Sequence, residues 1–435
     1  MKEFVRRHGL IIQLGVFLVY ALVRIGTTLP ALQSPRDLAD TDIYIRLADE
    51  SILGAGLLNA DRPVGFPLLL LIAGHDFSLA AGIQLALTIF SWGMLAFAVS
   101  RSFQSMVVRF FSFAIILALG LARHLAGWDF VMMTESLSLS LFALLIACAA
   151  WLLQGWRTIK LIALAGVAVL FAFTRDTNAY LLAMAAGLIL IAVMFRWCKP
   201  RGMAVSFIFL AIFAASYLTA NMGERWVFPF VNVMGRRILP YLDRVEYFED
   251  CGMPVTPELM EMAWYFAGGN DRRFFNDPAL EGFRQWLAED GKACYMKWLV
   301  SHPAETFAEV YREFDGLMFF DGVGEYFSRN YSDLLPSRIE RLLYPVYFAD
   351  WILAALMVGA IAASILRPWV KNPLWALFII LSLTIFPHAY ITWHGDAMAP
   401  ERHMLSVGMQ LSVSFWLLLF LAGERVGVYF GEGTR

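Results

Sequence analysis

The 435-residue chain is 59% hydrophobic and 16% charged, whereas about a quarter of the residues in an ordinary soluble domain are charged. This composition excludes an ordinary soluble protein, because too few polar side chains are present to cover a water-exposed surface. The formal net charge is -2 at pH 7 and no Lys/Arg block is present, so we do not expect a nucleic-acid partner.

Ten apolar segments that are long enough to cross a bilayer, or nearly so, follow one another along the chain. They cover residues 10–29, 79–99, 107–122, 136–154, 158–174, 178–195, 203–220, 346–366, 373–391 and 404–422. The first segment follows Lys2, Arg6 and Arg7 and is not followed by a convincing cleavage site, so we interpret it as a retained helix. We therefore predict an all-α polytopic membrane protein with about ten transmembrane helices.

The loop cations predict the orientation of these helices. The side that carries Arg6 and Arg7 also carries Arg101, Arg109, Arg157, Lys160, Arg196, Lys199, Arg201, Arg367 and Lys371. The positive-inside rule makes that side cytoplasmic, so both termini of this inner (plasma) membrane protein are predicted to be cytoplasmic. Residues 1–220 then form a transmembrane core with a first outer loop at 30–78, residues 221–345 form an extracytoplasmic helical domain, and residues 346–435 form the last transmembrane helices.

The two outer segments carry shorter helical signals. Residues 42–58 have apolar side chains at helical spacing, which predicts an interfacial helix, and the apolar run 68–73 is too short to cross. Thr256-Pro257-Glu258 predicts a helix over about 257–266. A further helix should open at Ser301-His302-Pro303, and its predicted apolar face consists of Phe307, Val310, Tyr311 and Phe314.

The predicted topology sorts the four cysteines. Cys148 falls in a span and Cys198 in a cytoplasmic loop, whereas Cys251 and Cys294 share the outer domain, where thiols can be oxidised. A Cys251–Cys294 disulfide and two unpaired buried thiols are equally compatible with the sequence, because sequence alone fixes no distance.

Ionisable residues are rare within the spans, and Arg24, Asp350 and His388 all fall near outer helix ends. Other ionisable residues are predicted at the outer ends of the spans and in the adjoining loops, a region we call the outer mouth. They are Asp37, Asp40, Asp42, Arg62, Arg123, His124, Asp129, Glu135, Arg175, Asp176, His394, Asp396, Glu401, Arg402 and His403. Ion-coupled transporters place such groups near the midplane of the bilayer, so this distribution favours an outward-facing reaction or binding site. A transporter or flippase of lipid-linked saccharides is the alternative, and a non-catalytic assembly factor is a third.

Four short motifs support a family resemblance. ADTDIYIRLA at 39–48, followed by Gly54 and by RPVGFPLL at 62–69, resembles the first outer loop of GT-C membrane glycosyltransferases, which use polyprenyl-phosphate-linked sugars. MTESL at 133–137 is similar to the acidic turn of their second outer loop. FTR at 173–175 is similar to the basic end of the fifth span, and ERHM at 401–404 to a late Arg-aromatic element in which His replaces the usual Tyr. The resemblance covers about residues 1–220 and that late element, whereas 221–345 matches nothing assignable.

The resemblance implies an inverting glycosyl transfer from a polyprenyl-phosphate carrier, with a single carboxylate as base. Asp40 occupies the acidic position and Asp42 is the second choice, although Asp40 could instead cap the helix that follows it. The predicted substrate-binding residues are Arg62, Arg175 and Arg402 for the leaving phosphate, together with Glu135 and His403. For Arg62, structural pairing with a nearby acid is an equal alternative. Glu135 could orient the sugar, bind a metal or pair with an arginine.

The expected partners are the lipid-linked sugar donor, a glycan, lipid or protein acceptor, and membrane lipids. No cofactor is certain; we leave a divalent metal open, since His394, Asp396 and His403 could ligate one without forming a strong zinc pattern. Residues 64–74 could hold the prenyl tail or serve only for packing. The aromatic side chains of the outer domain, Trp264, Tyr265, Trp286, Tyr295 and Trp298, could contact the acceptor but are expected mainly in a helix core.

Overall fold

Every backbone N–H and C=O inside a bilayer needs a partner within the protein, so the long apolar runs of this chain form α-helices. The computed structural model describes residues 2–38, 40–50, 55–197, 199–365 and 372–432. The ten apolar segments form helices α1 (Lys2–Leu32), α2 (Phe77–Ser100), α3 (Met106–Leu119), α4 (Thr134–Leu153), α5 (Thr158–Ala172), α6 (Asp176–Met194), α7 (Gly202–Met222), α8 (Ala349–Ile365), α9 (Leu374–Gly395) and α10 (Leu405–Glu432). The predicted all-helical, multi-pass membrane architecture is confirmed.

The ten helices differ in whether they are long enough to cross a membrane. Within the described ranges, seven of these helices are long and apolar enough to span a membrane, namely α1, α2, α4, α6, α7, α9 and α10. An eighth crossing results if α3 and the short helical stretch Arg123–Phe130 count as one broken span, bent by 57°. Helices α5 and α8 are apolar but shorter, so the count of ten remains a prediction. Arg367 and Lys371, and also Gly54 and Cys198, lie outside the described residues.

Gly120 lies at the bend after α3, in close contact with α1 and α2. A Cβ atom on this residue would lie 2.7 Å from both Trp92 Cγ and Tyr20 Oη, so only glycine allows the end of α3 to pack this closely against α1 and α2. The chain then turns into the helix Arg123–Ala126 and the 3₁₀ helix Gly127–Phe130. This turn brings Asp129 into the interior of the bundle.

Asp129 is the acceptor of a buried polar network that joins three helices. Arg24 of α1 donates to one carboxylate oxygen, and both side chains are at most 1% exposed. The other oxygen accepts from Thr88 Oγ1 of α2 at 2.8 Å and from Ser136 Oγ of α4 at 2.5 Å. The sequence placed Arg24 and Asp129 near the outer mouth, but the structure pairs them with each other in the core, where they stabilise the bundle.

The outer segment between α7 and α8 contains two structural parts. Residues from Phe230 to Trp298 form a separate hydrophobic core, whereas Val310, Phe314 and later apolar residues join the core of the transmembrane bundle. The separate part consists of Val227–Val233, Leu242–Asp250, Pro257–Met260, Arg273–Asn276, Glu281–Trp286 and Lys292–Ser301 with their connections. We refer to residues 227–301 as the outer subdomain.

The Cys251–Cys294 disulfide is present in the outer subdomain, with a Cα–Cα distance of 6.2 Å. The helix predicted over 257–266 is shorter and ends at Met260. It cannot continue, because Trp264 has a left-handed φ of 72° and donates its backbone N–H to Gly235 O at 2.7 Å. Of the outer aromatic residues, Trp286, Tyr295 and Trp298 are buried as expected, whereas Trp264 and Tyr265 are exposed.

Three other elements that were predicted from the sequence are present in the structure. The apolar run after Arg62 forms the eight-residue helix Gly65–Ile72, too short to cross a bilayer. The helix Pro303–Leu317 forms as predicted and buries Val310 and Phe314. The other two residues of its predicted apolar face, Phe307 and Tyr311, are exposed. The predicted interfacial helix consists of Thr41–Ala48 and Ala55–Leu58, with residues 51–54 outside the described ranges.

Candidate active site at the helix ends

A short backbone ladder brings the first outer loop to the start of α4. Arg36 N–H donates to Phe130 O at 2.8 Å, and Met132 N–H donates to Arg36 O at 2.9 Å. Thr41 Oγ1 adds a bond to Met132 O at 3.1 Å. Asp40 and Glu135, nearly a hundred residues apart in the sequence, therefore lie in the same region of the structure.

Asp40 stands at the N-cap position of the helix Thr41–Ala48 but does not act as its cap. The residue has helical dihedral angles, and its carboxylate accepts no capping hydrogen bond. A capping Asp would normally accept a hydrogen bond from an N–H of the first turn. The carboxylate of Asp40, which is 34% exposed, is instead directed to Arg62 at 3.9 Å and Arg402 at 3.8 Å. Capping therefore does not account for this residue.

Gly65 explains how the second half of the first outer loop reaches α5. Its N–H donates to Phe173 O at 2.8 Å, and a Cβ atom would lie 2.8 Å from Thr174 Oγ1 and 2.9 Å from Phe173 O. A larger residue would push the loop away from the end of α5. Glycine at this position thus allows a close contact between the loop and the end of α5. Arg62 and Arg175, which lie near the two sides of this contact in the sequence, are therefore brought close together.

A tight turn before α10 positions the last two site residues. Ala399 has a φ of 47°, and the helix Pro400–His403 begins directly after it. The left-handed conformation is unfavourable for alanine, so the surrounding contacts must hold it, a situation that is common near functional sites. Asp396 Oδ1 accepts from the N–H of Met398 at 2.9 Å, which closes the turn.

A chain of ion pairs runs through the site around the buried carboxylate of Glu135. Glu135 is 1% exposed, and its Oε1 lies 3.3 Å from Arg402 Nε and 3.6 Å from Arg175 Nη1. Neither oxygen of Glu135 has a hydrogen-bond partner among the described residues, although two guanidinium groups are adjacent. A buried carboxylate of this kind is unfavourable unless a ligand or water donates hydrogen bonds to its oxygens.

Burial and neighbouring charges shift the pKa values of Arg402 and His403, which lie beside Glu135. Burial opposes the charge of Arg402, but the adjacent Glu135 and Asp40 outweigh burial and raise the pKa of Arg402. Burial, with Arg175 and Arg402 close by, lowers the pKa of His403 well below its ordinary value, so His403 is neutral at neutral pH.

The tautomer of His403 follows from its neighbours. Arg175 Nη2 contacts His403 Nδ1, and a guanidinium can only donate, so Nδ1 must be the acceptor. The proton of the neutral ring therefore lies on Nε2, which faces Asp396 Oδ2 at 3.7 Å. Burial raises the pKa of Asp396, which also accepts from Asn232 Nδ2 at 2.9 Å.

These elements line a cavity of about 540 Å³ at one end of the bundle, where α4, α6 and α10 begin and α9 ends. Six of the seven predicted site residues line it, namely Asp40, Arg62, Glu135, Arg175, Arg402 and His403. The seventh, Asp42, is exposed on the helix Thr41–Ala48 and is not among the lining residues.

The sequence did not assign several polar residues of the same cavity to the substrate site, although it placed Asp176 at the outer helix ends. Asp176 at the start of α6 pairs with Arg225 at 3.4 Å, and Lys292 reaches the cavity from the outer subdomain. Tyr44 also lines the cavity, and burial raises its pKa to about 12. Lys292 and Arg225 belong to the interval that matches no motif, so no sequence signal distinguished them from other surface cations.

The described ranges offer no group of three or more His, Cys, Asp or Glu residues that could hold a metal ion. His394 in particular is directed elsewhere, with its Nε2 at 3.2 Å from Thr306 O. The divalent metal left open by the sequence therefore has no fitting ligand set there. Comparison with models of known protein families and with curated proteins gives no match to this chain.

Proposed function

We propose that the protein is an inverting glycosyltransferase that moves a sugar from a polyprenyl-phosphate carrier to an acceptor hydroxyl at the extracytoplasmic face of the membrane. The observation that carries this proposal is the position of Asp40. Its carboxylate does not cap the adjacent helix, is partly exposed on the wall of the cavity at the helix ends, and is flanked by Arg62 and Arg402. A carboxylate in this position suits a general base that must reach a bound substrate.

The reaction needs one base and no acid. The acceptor oxygen forms a bond to the anomeric carbon, its proton passes to Asp40, and the bond from the anomeric carbon to the phosphate oxygen breaks. The lipid phosphate leaves with the bonding electron pair and needs no proton, because a phosphate ester is a stable anion at neutral pH. Attack opposite the phosphate inverts the anomeric centre.

The arginines have a positioning role in this scheme. Arg402 lies between Asp40 and Glu135, at 3.8 Å and 3.3 Å, so it links the proposed base to the buried acid at the centre of the site. Arg175 contacts both Glu135 and His403. Both cations would orient substrate oxygens, and the unsatisfied oxygens of Glu135 would accept from sugar hydroxyls.

The test is to incubate purified protein with a panel of polyprenyl-phosphate sugars and acceptors and to measure consumption of the donor. Asp40→Asn keeps the size of the side chain but removes its basicity, so transfer should fall by about 100-fold or more. Asp42→Asn, on the same helix but away from the cavity, should retain transfer. Transfer retained by folded Asp40→Asn protein would contradict the assignment, and carrier that crosses a vesicle membrane without losing its sugar would favour a flippase.

A further inference from the structure

One wall of the cavity carries a cation whose partners are all neutral. The four arginines of the cavity each lie within 4 Å of a carboxylate oxygen, in the pairs Arg62–Asp40, Arg175–Glu135, Arg225–Asp176 and Arg402–Glu135. Lys292 Nζ instead lies 2.5 Å from Asn221 Oδ1 and stands over the rings of Tyr217 and Trp226. Within the described part of the chain, no carboxylate oxygen lies within 4.0 Å of it. The charge of Lys292 is therefore available to an anion.

The cavity wall contributed by α6, α7 and the helix Lys292–Ser301 contains polar residues such as Asp176, Ser216 and Asn221 but is largely apolar. Its apolar side chains include Ala179, Tyr180, Phe213, Ala220, Met296 and Leu299. The first four belong to α6 and α7, which are among the candidate spanning helices that are least buried within the protein, and Met296 is itself exposed. An anion bound to Lys292 would thus have hydrocarbon-compatible surface beside it, at the lipid-facing side of the bundle.

We infer that Lys292 binds the phosphate of an isoprenoid phosphate and that the first isoprene units lie on the apolar wall formed by α6, α7 and the helix Lys292–Ser301. This inference rests on the proposed function and names the place where the carrier is held. It replaces the expectation that Arg62, Arg175 or Arg402 receives the phosphate, because each of those arginines already lies beside a carboxylate, whereas Lys292 does not. A single ammonium is a suitable partner for a phosphate.

The experiment measures binding of sugar-free undecaprenyl phosphate to the full-length protein in detergent, for example by quenching of tryptophan fluorescence. Lys292→Met should weaken binding by about tenfold or more, since a charge-assisted hydrogen bond is lost. Lys292→Arg should restore binding to within about threefold. The matched control is Lys297→Met, because Lys297 is exposed on the same helix and does not line the cavity. Thermal melting of each variant establishes that it is folded.

Further arms separate this inference from the proposed function. Asp40→Asn should bind undecaprenyl phosphate at least as tightly as wild type, because binding requires no base and the substitution removes a negative charge from the cavity wall. Unchanged binding by Lys292→Met, in a protein that still transfers sugar, would overturn the assignment of Lys292 and leave the proposed function intact. Binding through Lys292 without sugar transfer by wild type would support the inference and reject the transferase. Equal competition by phosphatidylglycerol or inorganic phosphate would overturn the isoprenoid as the ligand.

Discussion

At the scale of single residues, two buried carboxylates show how differently this fold treats its charges. Both oxygens of Asp129 accept hydrogen bonds, from Arg24 on one side and from Thr88 and Ser136 on the other. The oxygens of Glu135 have two guanidinium groups nearby but accept no hydrogen bond within the described ranges. A buried carboxylate whose oxygens accept hydrogen bonds from the protein suits a structural role, whereas one without them beside a cavity is suited to a ligand.

The Arg24–Asp129 pair gives a prediction about stability. Arg24→Met should destabilise the bundle by about 3–5 kcal/mol, because it leaves the buried charge of Asp129 without a counterion. The double variant Arg24→Met/Asp129→Asn should recover part of this loss, since the amide oxygen can still accept from Thr88 and Ser136. Thermal unfolding in detergent measures both effects. Equal stability of wild type and Arg24→Met would show that the pair does not hold the helices together.

At the scale of elements, the helix Lys292–Ser301 connects the outer subdomain to the cavity. Cys294 and Trp298 are buried in the outer core, whereas Lys292 and Met296 line the cavity. The disulfide from Cys294 to Cys251 joins this helix to the end of Leu242–Asp250. The covalent link therefore fixes one wall of the cavity as well as the subdomain behind it.

Removal of this link should be measurable. The disulfide closes a loop with a sequence separation of 43 residues. By the chain-entropy estimate, a loop of this length contributes about 4 kcal/mol to stability. Cys251→Ser/Cys294→Ser should therefore melt at a lower temperature than wild type, and reductant should lower the melting temperature of wild type but not that of the double variant. Cys148→Ala is the control, since Cys148 is a buried free thiol. Insensitivity of wild type to reductant would contradict this role.

At the scale of the whole molecule, the sequence predicted those features that depend on local patterns. Apolar periodicity located the helices, and the order of helices in a bundle brings alternate helix ends to the same side. Asp40, Glu135, Arg175 and Arg402 therefore line one cavity although they are scattered along the sequence. Gly65 belongs to a motif whose spacing the sequence displays, and its close contact with α5 gives that motif a physical reason.

The features that depend on distant partners could not be predicted. Arg24 and Asp129 lie 105 residues apart, and their pairing depends on how the chain after α3 packs against α1 and α2, where Gly120 lies close to Trp92 and Tyr20. Lys292 resembles any other cation of the outer segment until its neutral partners are known. The sequence therefore predicted which helix ends contribute residues to the cavity, but not which of the cavity's cations has no carboxylate beside it.

The orientation of the whole molecule decides whether the cavity can meet an extracytoplasmic substrate. The disulfide in the outer subdomain favours the predicted orientation, because disulfides persist in oxidising compartments and are rare in the cytosol. Single-cysteine labelling tests it in a background in which Cys148 and Cys198 are replaced by alanine. A membrane-impermeant maleimide should label Glu246→Cys in intact cells and Arg157→Cys only after permeabilisation, since both positions are exposed in the structure. The reverse pattern would place the cavity in the cytoplasm, where the proposed reaction at the outer face could not take place.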